Sequence, residues 1–351
     1  MQPVTGLPRV RRALRADVQT WPLKAPFRIT GYTFVDLDVL VVELEEEGLK
    51  GRGEAAGVYY RKDDAYRMLA QVEALRDPIE QGLEREALQR RLPAGGARNA
   101  IDCALWELDA RRAGQAVWQL ARLEAPVPRI TTYTIGANAP EQMAAEALAF
   151  ADAKALKLKL TGEPADSVRV SAVRAARRDV WLGVDANQGF TRTSLAHLMP
   201  TLTAARVQLI EQPFPIGKES ELDQFDSPIP IAADESVQEA ADLAALVGRF
   251  DVINIKLDKS GGLTEALAMV SEAQRLGFET MVGNMTGTAL AMAPAFLVAQ
   301  RCNVVDLDGP LFLKSDRSPG VVYQSGTVWC PEEVWGGFST ERESWQPKPS
   351  R

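Results

Sequence analysis

The chain sets polar residues two apart at the ends of short apolar runs: Lys157-Leu158-Lys159, Asp185-Ala186-Asn187 and Asp306-Leu307-Asp308. Other such runs finish in Glu211-Gln212-Pro213, Asp234-Glu235-Ser236 and Asn254-Ile255-Lys256. On a β-strand, a spacing of two puts both members on one face. Asp185, Glu211 and Asp234 end three successive runs. Gathered at one place, they make an all-oxygen site whose like-charge repulsion a hard divalent cation relieves. Oxygen donors without His or Cys select Mg²⁺ over Zn²⁺. Any one carboxylate is as readily a helix cap or surface ion pair, but three consecutive strand ends point to a metal. Lys159 and Lys256 end the second and sixth of eight runs, so in a closed ring they oppose each other across the mouth. A free lysine, with a pKa of about 10.4, is a poor base at neutral pH. A nearby metal and the second ammonium of Lys157 would lower it. The bland reading is that these lysines only neutralise acidic neighbours, which suits Lys157 better than an opposed pair. A metal on a substrate carboxylate, with a base on each face of the adjacent carbon, supports a 1,1-proton transfer through an enediolate. That inverts the carbon. β-Elimination and cycloisomerisation pass through the same anion, so the lysines alone leave the overall reaction open.

Composition removes competing chemistries. Among 351 residues there is one histidine, His197, and three cysteines, Cys103, Cys302 and Cys330. A His-rich zinc site cannot be built, and a His triad has one candidate member. Three scattered cysteines make no CxxC pair or disulfide framework, so a reducing compartment is expected. His197 lies in TSLAHLMP, away from any strand end, which suits packing or a helix surface; Lys256 therefore stands where a second base is needed. With 40 basic and 47 acidic residues the formal charge is −7, which argues against nucleic acid or an anionic membrane as partner. At least five of those acids fall in the candidate sites. No run approaches the roughly 20 apolar residues of a membrane span. The stretch MQPVTGLPRV lacks the apolar core of a secretory signal, so a cytoplasmic protein is expected.

The elements that must hold these residues form two groups. From Arg129 onward, β-like runs start near 130, 155, 181, 207, 230, 252, 279 and 304. Helix-compatible stretches lie between them at 141–153, 165–177, 194–204, 240–247, 263–276 and 289–298, with 217–225 the least convincing. Eight strands alternating with helices imply parallel pairing, most economically an α/β barrel. An open doubly wound sheet is disfavoured because no GxGxxG follows the first strand. The first third reads as α+β: strands between Val10 and Leu44, a loop over 22–31, a glycine-rich loop over 48–60, a helix over 62–75 ended by Pro78, and a stronger helix over 97–120. The segment from Leu311 has no clear period and is expected to fold back over the first domain.

The pieces KLKL (157–160), VDAN (184–187), EQP (211–213), ADES (233–236) and NIKLDKSGG (254–262) together resemble the enolase superfamily, and within it the muconate lactonizing enzyme subgroup. The resemblance covers essentially the whole chain. It implies a modified TIM barrel, (β/α)₇β, over 126–310, with an α+β capping domain over 1–125 completed by 311–351. It implies Mg²⁺ on Asp185, Glu211 and Asp234, and Lys159 and Lys256 as acid–base pair with Lys157 assisting. Asp306-Leu307-Asp308 resembles the AspxAsp motif of dipeptide epimerases, where paired carboxylates hold the substrate α-ammonium; bonding within the barrel is the structural alternative. Pro26-Phe27-Arg28-Ile29 resembles their mobile capping loop. Arg28, Asn187, Met285 and Thr286 complete the expected substrate contacts. Arg28 or Arg61 could pair with an acidic side chain, and the loop at Tyr59-Tyr60-Arg61 is a further specificity surface. One departure is Gly287, where many subgroup members carry Glu; it leaves the side-chain preference open. The expected activity is epimerisation of the C-terminal residue of a dipeptide, by an enzyme with a small-molecule substrate and a homo-oligomeric assembly. The alternatives are an N-acylamino acid racemase, an o-succinylbenzoate synthase, a cycloisomerase, or a non-catalytic barrel binding an amino compound.

Overall fold

The computed structural model describes residues 12–29 and 31–337. Three antiparallel strands come first: β1 (Ala13–Ile29), β2 (Tyr32–Glu46) and β3 (Leu49–Ala55). Helices α1 (Ala65–Ala74), α2 (Arg76–Glu80), α3 (Arg85–Arg91) and α4 (Gly96–Ala113) follow. Four expectations are corrected. The expected loop over 22–31 is mostly strand: β1 pairs with β2 on both sides of a register shift between Pro22 and Phe27. The shift accommodates two prolines, which cannot donate to a ladder. The expected glycine-rich loop contains β3, and its glycines serve packing. A Cβ on Gly51 or Gly53 would lie 2.0 Å from the carbonyl oxygen of Ala104 or Ala100, so only glycine lets α4 rest on the strand. Pro78 does not end a helix. It lies in the first turn of α2, where its missing N–H needs no partner. The helix expected through Leu120 breaks at Gly114 (φ 63°), and α5 (Val117–Leu120) is separate.

β4 (Arg129–Ile130) pairs with the late strand β14 (Thr327–Trp329), itself paired with β13 (Val322–Gln324), so the barrel starts two residues later than expected. Its strands are β5 (Thr132–Ile135), β6 (Ala155–Lys159), β7 (Trp181–Asp185), β8 (Leu209–Glu211), β9 (Ile231–Ala233), β10 (Val252–Ile255), β11 (Glu279–Val282) and β12 (Val304–Val305). They form one parallel series in chain order. Helices α6 (Pro140–Ala149), α7 (Asp166–Ala176), α8 (Arg192–Ala204), α9 (Leu257–Ser260), α10 (Leu263–Arg275) and α11 (Ala289–Ala299) connect them. The stretches 219–222 and 240–246 are 3-10 turns. His197 is exposed on α8.

Strand alternation separates two environments. Trp181, Leu209, Ala232, Val252, Met281 and Val304 meet as an apolar layer inside the barrel. Leu182, Ile210, Ile231, Ile253, Val282 and Val305 belong instead to the large core shared with the helices. Continuing the inward series by steps of two reaches Asp185, Glu211, Asp234, Asn254 and Asp306. A Cβ on Gly183 would lie 2.7 Å from the Trp181 ring, so glycine there leaves the indole its room. The seam between β12 and β5 is joined by side chains. Thr132 Oγ1 donates to Asp306 Oδ1 (2.5 Å), the Thr134 N–H to Asp308 Oδ2 (2.7 Å), and the Leu307 N–H to Thr131 Oγ1 (3.0 Å).

Residues of the later chain contact the first sheet. Arg317 Nη2 pairs with buried Glu54 at 2.7 Å, and Glu54 also accepts from the Thr288 N–H (2.8 Å) and Oγ1 (2.6 Å). Trp335 Nε1 donates to the Arg52 carbonyl at 2.8 Å. Val10 and the expected return of 338–351 lie outside the described residues. Among the described residues no helix is long and apolar enough to cross a membrane.

Gly53→Ala is expected to lower unfolding free energy by at least about 2 kcal/mol, because the new methyl overlaps backbone that cannot rotate away. Urea titration measures this. Arg317→Ala strips buried Glu54 of its cation and should cost about 3 kcal/mol in the same assay.

Candidate active site

Strand register brings the polar ends together. Lys159, Asp185 and Glu211 end β6, β7 and β8 at facing positions, and Asp234 directly follows β9. Lys256 follows β10 and caps α9. All are buried. Lys157 Nζ contacts three carboxylates: Glu211 Oε2 (2.7 Å), Asp306 Oδ2 (2.8 Å) and Asp185 Oδ2 (3.1 Å). Lys159 Nζ donates to Asp185 Oδ2 and Lys256 Nζ to Asp234 Oδ2, each at 2.6 Å.

Three further residues within the sequence motifs support this set. Lys259 Nζ donates to Asp234 Oδ1 (2.6 Å) and to the Asn254 carbonyl (3.0 Å). Asn254 Nδ2 donates to Glu211 Oε1 (2.8 Å). Gln212 Oε1 accepts from the Asp234 and Ser236 N–H groups (2.9 and 3.1 Å), holding the turn after β9 against β8. The period of two links Asn254 to Lys256 and is a signal for it. Lys259 carries no such signal, because its placement depends on a helical turn starting at Lys256.

Burial and charge act in opposite senses here. Burial alone would raise the Asp185 carboxyl, but the Lys159 and Lys157 ammoniums hold it down at about 2. Asp234 is likewise held well below the carboxylate range by Lys256 and Lys259 against burial. Burial, assisted by Asp185, pushes Glu211 up to about 7; burial and Asp234 push Glu235 up to about 8. Burial lowers Lys256, but Asp234 and Glu211 outweigh it and also the opposing Lys157, so the net shift is upward. The expected lowering by Lys157 is therefore present and overcome.

Among the described residues no three carboxylates stand together as a chelating cluster; the Lys157 ammonium bridges Asp185 and Glu211. The donor chemistry nevertheless fits a hard divalent cation. Buried Lys157, Lys159, Lys256 and Lys259 face six buried acids, Asp185, Glu211, Asp234, Glu235, Asp306 and Asp308, an excess of two. Glu235 Oε2 and Asn187 Oδ1 are buried without a hydrogen-bond partner, and Glu211 Oε2 has only its ionic contact with Lys157. Every available donor is oxygen.

Above this floor lies an open cavity of about 690 Å³, counting the solvent space at its mouth. Lys159, Lys256, Asn187, Met285 and Thr286 line it, together with Tyr59. Asp306 and Asp308 are buried in the seam and do not line it; both Asp306 oxygens are engaged. Burial and the Asp306 charge push Asp308 up to about 7. Arg28 is exposed and outside the lining, whereas its neighbours Phe27 and Ile29 line the cavity. Alternation along β1 sends Arg28 to the other face. Arg61 donates to Gln238 Oε1.

Comparison with known proteins agrees with this arrangement. Residues 12–121 match the mandelate racemase/muconate lactonizing enzyme N-terminal domain, and residues 142–339 match the enolase C-terminal domain-like family. The chain is 42% identical to the L-Ala-D/L-Glu epimerase of Escherichia coli (strain K12), over 90% of this chain and 99% of that one. It is 40% identical to an N-acetyl-D-glutamate racemase of Pseudoalteromonas sp, over 73% and 81%. An Agrobacterium tumefaciens enolase family member with homology to dipeptide epimerases, bound to sodium and L-Ala-L-Glu, superposes with a TM-score of 0.90 at 41% identity, covering 93% of this chain and all of the other. The Methylococcus capsulatus dipeptide epimerase, complexed with Mg and L-Arg-D-Lys, gives 0.85 at 28% identity, over 91% and 96%. With both halves of the architecture matched and the lysine–carboxylate floor in place, the chain belongs to the mandelate racemase/muconate lactonizing enzyme family of the enolase superfamily and is an isomerase of the epimerase type.

Proposed function

We propose that the protein is a Mg²⁺-dependent dipeptide epimerase that inverts the α-carbon of the C-terminal residue by two-base 1,1-proton transfer. One observation carries this reading: Lys159 and Lys256 enter the same cavity from β6 and β10, four strands apart, above Asp185, Glu211 and Asp234. A non-catalytic binder has no need of two opposed lysines. The E. coli relative, an L-Ala-D/L-Glu epimerase, supports the substrate class, and the Mg-complexed M. capsulatus structure supports the metal.

Asp185, Glu211 and Asp234 would hold the metal, which when bound neutralises charge building on the substrate carboxylate. Asn254 and Lys259 orient Glu211 and Asp234. One lysine begins as the free amine and takes the α-proton; the other begins as the ammonium and delivers a proton to the opposite face. After turnover the two have exchanged protonation states, so the enzyme is set for the reverse direction. Lys157, whose ammonium contacts Asp306, Glu211 and Asp185, supplies positive charge beside the carboxylates. Asp306 and Asp308, the carboxylate pair that follows the eighth strand, are the proposed seat of the substrate α-ammonium, with Asp308 the member that receives it. A second reading, N-acylamino acid racemase, is favoured by the engagement of both Asp306 oxygens and by the Pseudoalteromonas relative.

Incubation with Mg²⁺ and a dipeptide library in D₂O should yield a one-deuteron gain at the C-terminal α-carbon, read by mass spectrometry. Exchange on N-acylamino acids and on no dipeptide would select the second reading. Chelation should abolish exchange and added Mg²⁺ restore it. Lys159→Ala and Lys256→Ala should each reduce epimerisation by about 10³-fold, while each retains α-proton exchange with one enantiomer, opposite in the two variants. Loss of activity in one variant alone points to a single base. Asp308→Asn should lower kcat/KM for dipeptides about tenfold and leave N-acyl substrates unaffected; equal losses on both argue against the ammonium role.

A further inference from the structure

Lys159 and Lys256 face the same cavity but stand on different kinds of backbone. Lys159 is the last residue of β6, in register with Asp185 of β7. The N–H that follows it donates to the Asp185 carbonyl at 2.9 Å, and Asp166 of α7 accepts from the Gly162 N–H at 2.8 Å. These bonds run within the barrel. Lys256 lies past the end of β10, as the residue that opens α9, a helix of one turn. A single turn has little stability of its own, and its last carbonyls find no partner inside it.

The first domain supplies those partners. Buried Arg98 of α4, itself bonded to the Leu92 carbonyl (3.3 Å), donates from Nη2 to the Ser260 carbonyl at 2.5 Å. One turn further along α4, Asp102 accepts from the Thr264 N–H (2.9 Å) and Oγ1 (2.6 Å) where α10 begins. Two glycines between α9 and α10 admit these side chains. A Cβ on Gly261 would lie 2.2 Å from Arg98 Nε, and one on Gly262 would lie 2.5 Å from Asp102 Oδ2. From within α9, buried Asp258 accepts from the Gly57 N–H at 2.9 Å, two residues past β3. Asp258 and Ser260 are two and four residues from Lys256, so whatever rotates this turn also redirects the lysine. We infer that Arg98 and Asp258 are positioning residues for Lys256: through them the first domain aims one of the two acid–base lysines, while the barrel aims the other. This rests on the two-base epimerase reading and deepens it.

The test follows α-proton exchange in D₂O with Mg²⁺, using the full chain and the best substrate of the dipeptide library, supplied separately as its two epimers. Lys256→Ala is the reference and identifies the epimer that Lys256 deprotonates. Arg98→Ala and Asp258→Ala should lower kcat for exchange from that epimer by at least about tenfold and change exchange from the other by less than about threefold. Asp258→Asn keeps an oxygen for the Gly57 N–H and should recover most of the loss. If Arg98→Ala fails to fold by circular dichroism, Asp258→Ala and its rescue by Asp258→Asn carry the test. Equal losses from both epimers mark a merely structural role and overturn the inference, leaving the epimerase reading intact. No exchange by the unaltered protein on any member of the library overturns both.

Discussion

The structure is organised around one constraint: ten ionic side chains are buried at one end of a barrel. Removing a charge from water costs several kcal/mol unless close, well-directed partners compensate. The partners must therefore be fixed before the charges are buried. Parallel register does this, since it sets Lys159, Asp185 and Glu211 at facing positions on adjacent strands. The apolar layer beneath, from Trp181 round to Val304, closes the barrel against water from the other end. The sheet of β1, β2 and β3, pressed on α4, carries the hairpin that covers the top.

Lys157 shows how tightly the parts are linked. Its ammonium touches acids from β7 and β8 and Asp306 beyond β12. Asp306 in turn bonds Thr132 of β5, across the seam. The residues at the proposed ammonium site thus also help hold the first and last strands together. The sequence permits both barrel bonding and ligand binding for the Asp306–Asp308 pair, and the barrel bonding is directly visible.

Legibility in the sequence follows the physics of each segment. The strand beginnings at 155, 181, 252 and 304 are readable, because an apolar run that ends in charge rarely fits anything but a buried strand with a polar mouth. The floor residues are readable for the same reason. The segment 22–31 reads wrongly as a loop because proline normally argues against a strand, and a register shift that absorbs it leaves no local mark. β3 is hidden because glycine signals turns, whereas here it admits the backbone of α4 at 2.0 Å from the missing Cβ. Both errors concern long-range packing. Arg28 illustrates a third limit: its place near the mouth follows from the sequence, but the face its side chain takes depends on β1 being a strand.

Floor and wall are consequently encoded in different parts of the chain. The floor sits on strand ends, where each residue is tied to several others, so that changing Asp306 or Lys157 disturbs both charge balance and closure. The wall hangs largely from the β1–β2 hairpin and the turn at Tyr59, where Tyr32, Phe34, Tyr59 and Tyr60 pack ring on ring.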